Sequence, residues 1–390
     1  MKIERLLRIS FLAAAAALNV PYSIATADVS IIDTTAILRG LPTSSFFKQT
    51  ISGHEWLATP NFAFLIHNKA QNRRVLFDLG LRRDYWNASL AIRESLSTSQ
   101  IDVAVEKDVR QILEEHQIDV AEIEAVVWSH HHFDHTGDMS TLPESTHLVV
   151  GPGFKKAVLP GYPKAHDSLI LESDYEGRRV REISFEPWGP RVGNFQAHDY
   201  FGDGSFFLLE APGHTADHLC GFVRVTSSPD SYVFLAGDAV HHAGEIRPSR
   251  HMPLPTYLRP HPFTFSGEGV LTGDTFHPLL RYDDDGNIGW LPFYEPATHG
   301  HDPTYDPYAA AQTIAHIQEL DQFENIFVLL AHDEHLRTTV PFFPHTINDF
   351  HEKGWVPRLR WLFLRDFAHA VGWTGKIPGV RDWSAPAIHE

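Results

Sequence analysis

Short apolar runs, separated by glycine, proline and charged residues, set the rhythm of this chain. Val29–Ile32, Phe62–Ile66 and Val75–Phe77 read as strands, the last running into the turn Asp78-Leu79-Gly80. Ala125–Trp128, His147–Val150, Phe206–Leu209, Tyr232–Ala236 and Ile326–Ala331 read as further short strands. Val105, Val109, Ile112 and Leu113 recur at helical spacing, which predicts an amphipathic helix over 104–116. A second helix is predicted over 309–320. Trp355, Leu359, Trp361, Leu362, Phe363 and Phe367 predict an amphipathic helical cover near the C-terminus. Strands in hairpin-like succession with helices between them point to an α/β chain with mixed rather than purely parallel sheets. No internal repeat and no low-complexity linker interrupts it.

Four of these strands end on a residue that can bind a metal. Trp128 precedes a histidine cluster, Leu209 leads to His214, Ala236 to Asp238, and Ala331 to His332. Strand ends along one sheet edge are rigid platforms from which side chains can converge. The cluster reads Ser129-His130-His131-His132-Phe133-Asp134-His135-Thr136-Gly137-Asp138. In an extended segment residues two apart point the same way, so His130 and His132 can reach one metal, while His131 faces away from it. Asp134 and His135 follow where the chain must turn, and can face a second metal. The chain has 26 histidines, so isolated pairs mean little. The pattern His-x-His-x-Asp-His arises by chance in roughly one such chain in 130, which makes it informative.

Composition narrows the chemistry. The net charge of −17, without a basic run to offset it, excludes nucleic acid as the expected partner. There is one cysteine, Cys220, in an apolar strand; this rules out an intrachain disulfide and a cysteine-rich zinc site. Any metal is therefore held by imidazole and carboxylate, a mixture that suits zinc and similar ions. Two such cations close together lower the pKa of a shared water and polarise a carbonyl, and Asp134 can take a proton from the nucleophile. Hydrophobic residues make up 43% of the chain, enough for a large core.

At the N-terminus, Lys2, Arg5 and Arg8 precede the apolar run Phe11–Leu18, and Ala25-Thr26-Ala27 has the small-x-small form of a cleavage site. Residues 1–27 thus read as a secretory signal, the alternative being an N-terminal extension of a cytoplasmic enzyme. No segment predicts stable membrane insertion. Residues 28–390 read as a single domain. Within it, about 241–304 form a long irregular stretch carrying Pro253, Pro255, Tyr257, Pro260, Phe263, Phe265, Trp290, Phe293 and Tyr294. A stretch of that length is expected to wall an aromatic pocket over the metals.

The histidine cluster resembles the signature of the metallo-β-lactamase superfamily. The later signals follow in that family's order: Pro212-Gly213-His214-Thr215, Gly237-Asp238 and Ala331-His332-Asp333, with Asp78-Leu79-Gly80 as the early structural turn. The resemblance implies a four-layer αβ/βα sandwich of two mixed β-sheets with metals at one edge. It implies that His130, His132 and His214 bind one metal, that Asp134, His135 and His332 bind the other, and that Asp238 bridges them. The metals it implies are two divalent ions, zinc above all, because His132 stands where iron-binding relatives have glutamate. Within the family the chain is most similar to N-acyl-homoserine lactonases, which points to hydrolysis of a small cyclic ester or amide; a thioesterase or other ester hydrolase is the alternative. A nuclease or a non-catalytic zinc-binding protein fits the acidic charge and full ligand set less well. Two departures stand out. His241, followed by His242, occupies the position of the lactonases' tyrosine, which makes His241 a candidate catalytic donor beside Asp134. Asp217 stands where the third-histidine motif often has glycine. The oligomeric state is left open.

Overall fold

A computed structural model describes residues 18–99, 101–265, 269–300, 302 and 304–378. Among these, seven strands form a first sheet: β1 (Asp28–Pro42), β2 (Trp56–Asn68), β3 (Arg73–Phe77), β4 (Asp102–Ala104), β5 (Ile123–Val127), β6 (His147–Val150) and β7 (Val180–Glu182). Their order is β4-β1-β2-β3-β5-β6-β7, antiparallel at the β1–β2–β3 end and parallel from β3 onward. A second sheet holds β8 (Arg191–Val192), β9 (Phe195–Asp199), β10 (Phe206–Glu210), β11 (Leu219–Ser227) and β12 (Asp230–Leu235). A small ribbon of β13 (Tyr257–Leu258) and β14 (Leu271–Thr272) precedes its last strand, β15 (Ile326–Leu329), which pairs parallel to β12.

The central strands of both sheets are apolar on both faces, so each of them alternates between two cores. In β5, Ala125 and Val127 face the other sheet and Val126 faces outward. In β10, Phe206 and Leu208 point inward while Phe207 and Leu209 point outward. The first sheet's outer face is covered by α2 (Val109–Glu115) and α4 (Phe154–Val158), through Ile112, Leu113 and Phe154. The second sheet's outer face is covered by α5 (Pro307–Asp321), through Ile314, Ile317 and Leu320. The result is the helix–sheet–sheet–helix order of an αβ/βα sandwich, as the sequence implies. Two further helices, α1 (Leu90–Thr98) and α3 (Phe133–Thr136), lie beside the site, and α6 (Trp355–Leu359) begins the C-terminal cover.

Several expectations are corrected. β1 runs on to Pro42 rather than ending near Ile32; its register shifts between Asp33 and Ile37, where Thr35 takes φ 59°, and the polar residues of that bend hide the continuation. The helix expected over 104–116 starts at Val109, because Asp108 and Gln111 form a capping box there and Asp102–Ala104 pairs with β1 instead. The C-terminal cover is not one helix: after α6 the chain tightens into a 3-10 segment, Leu362–Phe367. The aromatic residues of the long stretch do not wall the site. Phe263, Phe293 and Tyr294 are buried in the same core as α5, and among the described residues the stretch reaches the site only near its two ends.

Residues 1–17, the greater part of the expected signal segment, lie outside the described residues. Residues 18–27 lie against the second sheet. Leu18 and Val20 pack on its outer core, Gly193 N–H donates to the Asn19 carbonyl at 2.8 Å, and the Arg224 guanidinium donates to the Pro21 carbonyl at 2.7 Å. No helix among the described residues is long and apolar enough to cross a membrane.

Candidate metal centre

The site grows out of the turn after β3. Asp78 sits there with φ 62°, and its carboxylate accepts from Ser129 N–H at 2.6 Å and from Ser129 Oγ at 2.8 Å. This fixes the start of the histidine cluster to the end of β5. His135 Nδ1 lies 2.9 Å from the same carboxylate. Asp78 is thus a structural turn residue, as its sequence context suggests. α3 is a single turn that presents Asp134 and His135. After β12, Gly237 takes φ 52°, and a Cβ there would stand 2.9 Å from the Ser129 Cβ and the His218 ring; only glycine lets the Asp238 loop approach so closely. His218 Nε2 accepts from Asp238 N–H at 3.0 Å, a structural task.

The seven predicted ligands converge. His214 Nε2 lies 3.2 Å from His130 Nε2 and 2.9 Å from His132 Nδ1, which makes one group of three. Asp134, His135, Asp238 and His332 make a second group of four. Asp238 stands between them: Oδ1 is 3.0 Å from both His135 Nε2 and His332 Nε2, whereas Oδ2 is 3.7 Å from His214 Nε2 and 3.9 Å from His130 Nε2. It is the residue that the resemblance names as the bridge.

Hydrogen bonds on the far side of each ring assign its tautomer. His332 Nδ1 donates to the Pro60 carbonyl at 2.8 Å, and His135 Nδ1 donates to Asp78. Ser129 Oγ gives its hydrogen to Asp78 and so accepts from His130 Nδ1 at 3.0 Å. Each of these rings is therefore left with its inward nitrogen to offer a metal; burial opposes charge on His135 and His332, but the Asp238 and Asp134 carboxylates push their pKa up, so these two give up a proton on taking an ion. His135 Nε2 and Asp238 Oδ1 are buried without an aligned hydrogen-bond partner. Lone pairs crowded together away from water are costly unless a cation lies among them, so the residues present fit divalent ions. Burial also holds the His130 and His214 imidazoles well below their ordinary pKa, in the neutral form a metal needs.

His241 Nε2, buried and unpartnered, lies 3.5 Å from Asp238 Oδ2. His242 turns away from the centre. Its Nδ1 accepts from Gly244 N–H, so Nε2 carries the proton and donates to Asp366 at 3.1 Å. His54, His242 and Asp366 lie close enough together to suggest a metal, but that proton ties His242 to Asp366, which His335 Nε2 also meets at 2.8 Å, in a hydrogen-bonded network, while His54 Nδ1 pairs with the Tyr294 hydroxyl at 2.7 Å. The network borders a cavity of about 430 Å³ behind His241 and His332.

His131 leaves the metal side as expected and is buried, with Nδ1 2.8 Å from Asp217 and Nε2 2.8 Å from Asp302. Burial opposes its charge, but the two carboxylates push its pKa up to about 9. Sequence reasoning missed Asp302, which lies in irregular chain, and Asn61, whose side-chain amide donates to Asp134 at 3.3 Å. The one available signal for Asp302 was the pairing of two oddities, a third histidine in the cluster and an aspartate at position 217. Cys220 is buried in β11, and burial raises its thiol pKa well above the ordinary value, as for an inert core residue.

In front of the metal groups opens a cleft of about 300 Å³. His132, Asp134, His214, Asp238, His241 and His332 form its floor. Leu38, Leu41, Phe46, Ile92, Ile101 and Phe133 make an apolar wall.

Known proteins place this architecture. Residues 57–263 match the family model described as metallo-beta-lactamase superfamily. The metallo-hydrolase mfmC of Annulohypoxylon moriforme is 41% identical over 94% of this chain and 94% of its own length. The gamma-lactamase FDB1 of Fusarium pseudograminearum is 37% identical over 89% of this chain and 84% of its length. The cytochrome P450 monooxygenase mpaDE of Penicillium roqueforti is 40% identical over 92% of this chain, which spans only 39% of that longer protein. A solved AiiA variant from B. thuringiensis, with N-decanoyl-L-homoserine at its active site, shares the fold with a TM-score of 0.52 at 17% identity, covering 83% of this chain and all of its own. Family match, full-length relatives and a convergent imidazole–carboxylate centre agree: the chain belongs to the metallo-β-lactamase superfamily and is a metal-dependent hydrolase.

Proposed function

We propose that the chain opens a cyclic ester or amide of a small, largely apolar molecule. The observation that carries this reading is the cleft itself. A wall of aliphatic and aromatic side chains stands directly over a floor of metal-binding residues, so an apolar ring can sit with its carbonyl against the centre. A gamma-lactamase among the full-length relatives and the lactone hydrolases among the fold neighbours support a ring carbonyl as the target.

Two divalent ions, zinc by the chemistry of the donor set, would polarise that carbonyl and make water acidic enough to attack near neutral pH. The chain's own residues do the rest. Phe46 and Leu41 exclude bulk water from the reacting face. Asp134, oriented by the Asn61 amide, takes the proton released as water adds to the carbonyl carbon. The ring C–O or C–N bond then breaks, and the leaving heteroatom needs a proton. His241 supplies it or donates to the carbonyl oxygen, because its Nε2 faces the bridging carboxylate with no other partner.

The test is turnover of zinc-reconstituted protein on γ-lactones, γ-lactams, open-chain esters and thioesters that carry matched apolar groups. Preference for the cyclic substrates supports the reading. Turnover confined to thioesters would replace it with the thioesterase alternative.

A further inference from the structure

The rings of the centre do not all lean on the same part of the fold. His130 and His135 are oriented through Ser129 and Asp78, and His332 through Pro60, all on or beside the first sheet. His132 is different. Its Nδ1 faces His214 and the first metal group, and its Nε2 faces Asp302 Oδ2 at 3.2 Å, across 170 positions of sequence. The same oxygen is 2.8 Å from His131 Nε2. The other oxygen of Asp302 accepts from Thr304 N–H and Oγ1, both at 2.5 Å, so the carboxylate is held at both ends.

His131 completes the arrangement. Both of its nitrogens face carboxylates, Asp217 on one side and Asp302 on the other, so both must carry hydrogen and the ring is a cation. All three residues are buried, at 3%, 3% and 8% exposure for His131, Asp217 and Asp302. Two buried carboxylates so near each other are tolerated only with a positive charge between them. After that neutralisation one negative charge remains, next to the Nε2 hydrogen of His132. Asp217 belongs to the loop that carries His214, and Thr304 Oγ1 accepts from Ala216 N–H of that loop at 3.4 Å. The brace therefore joins the loop of His130 and His132, the loop of His214 and the far end of the long stretch.

We infer that Asp302 is a positioning residue of the first metal subsite: it holds His132 in the tautomer that turns Nδ1 inward, and His131 is the cation that keeps Asp302 in place. The second subsite leans on Asp78 and Pro60, so loss of Asp302 weakens one ion and spares the other. The inference rests on metal binding at this centre, not on the identity of the substrate.

The experiment titrates cobalt(II) into the metal-free full chain, wild type beside Asp302→Ala and Asp302→Asn. Visible absorbance follows coordination, and a competing chelator gives the two affinities. For Asp302→Ala the expected result is a loss of about 10- to 100-fold in affinity for one ion, with the other unchanged. Asp302→Asn keeps an acceptor oxygen without the charge, so the same ion weakens by less; this variant carries the test if the alanine chain does not fold. A merely structural role would lower the melting temperature of the metal-free protein and leave the ratio of the two affinities as in wild type. Unchanged affinities, or equal weakening of both ions, overturns the inference. A wild type that takes up no cobalt overturns the metal reading and this inference with it.

Discussion

In the proposed mechanism Asp134 and His241, both on the floor of the cleft, carry opposite tasks. Asp134 must be an anion to face the second metal group and to accept a proton. Asn has nearly the same shape and cannot do either, so Asp134→Asn is expected to fold normally and lose about 100-fold or more in kcat/KM. His241→Phe removes a donor and keeps a ring that still packs on Phe46, whose centroid is 4.7 Å from that of His241. At full metal occupancy its kcat should fall by about 10-fold or more, with stability little changed. Kinetics beside elemental analysis of each variant check both; wild-type turnover in metal-loaded His241→Phe removes the donor role. The seven candidate ligands that the fold brings together were legible in the sequence because each sits at the end of a short apolar strand or inside one compact motif. Asp302 and Asn61 were not. Asp302 lies in chain without periodicity, and Asn61 lies mid-strand in β2, where nothing local marks a polar residue as facing the site.

At the scale of elements, the strands were easier to read than their ends. Apolar runs buried on both faces stand out, but the bend in β1 and the split C-terminal cover depend on tertiary packing that no local pattern records. The 3-10 segment Glu172–Asp174 shows the cost such packing can impose. Burial pushes the Asp174 carboxyl up from 3.8 to about 7, and one of its oxygens has no partner. The folded state thus holds a proton that the unfolded chain releases first. This carboxyl's contribution to stability is full below about pH 4 and falls as pH rises toward 7, where the folded carboxyl also ionises. Asp174→Asn keeps the oxygen that accepts from Leu171 N–H and never ionises. It is expected to melt several degrees above wild type at pH 8, with the gap closing toward pH 4. Thermal melts across that range are the check, and a pH-independent gap would contradict it.

On the scale of the whole molecule, distant segments close the structure. Arg224 is 1% exposed and is satisfied by Asp230, Tyr232 and the Pro21 carbonyl. A chain starting at Asp28 lacks the last of these and uncovers the apolar seat of Leu18 and Val20. Losing one hydrogen bond to a buried charge costs about 1.5–3 kcal/mol. Such a chain is therefore expected to melt below one starting at Leu18; equal melting temperatures would show that these contacts contribute nothing.

The four-layer order was legible through the family resemblance of the histidine motif, the apolar runs alone pointing only to mixed sheets with helices, but how residues 241–304 fill the outer core was not, since their aromatics fit a pocket wall equally well. What the sandwich does is bring four strand ends and one helical turn to a single edge. The number of ions that edge holds decides most directly whether it is a two-metal centre. Elemental analysis of the folded, zinc-reconstituted wild type, freed of loosely bound metal, is predicted to find about two ions per chain; no more than one would contradict the bridging role of Asp238 and the two-group centre built around it.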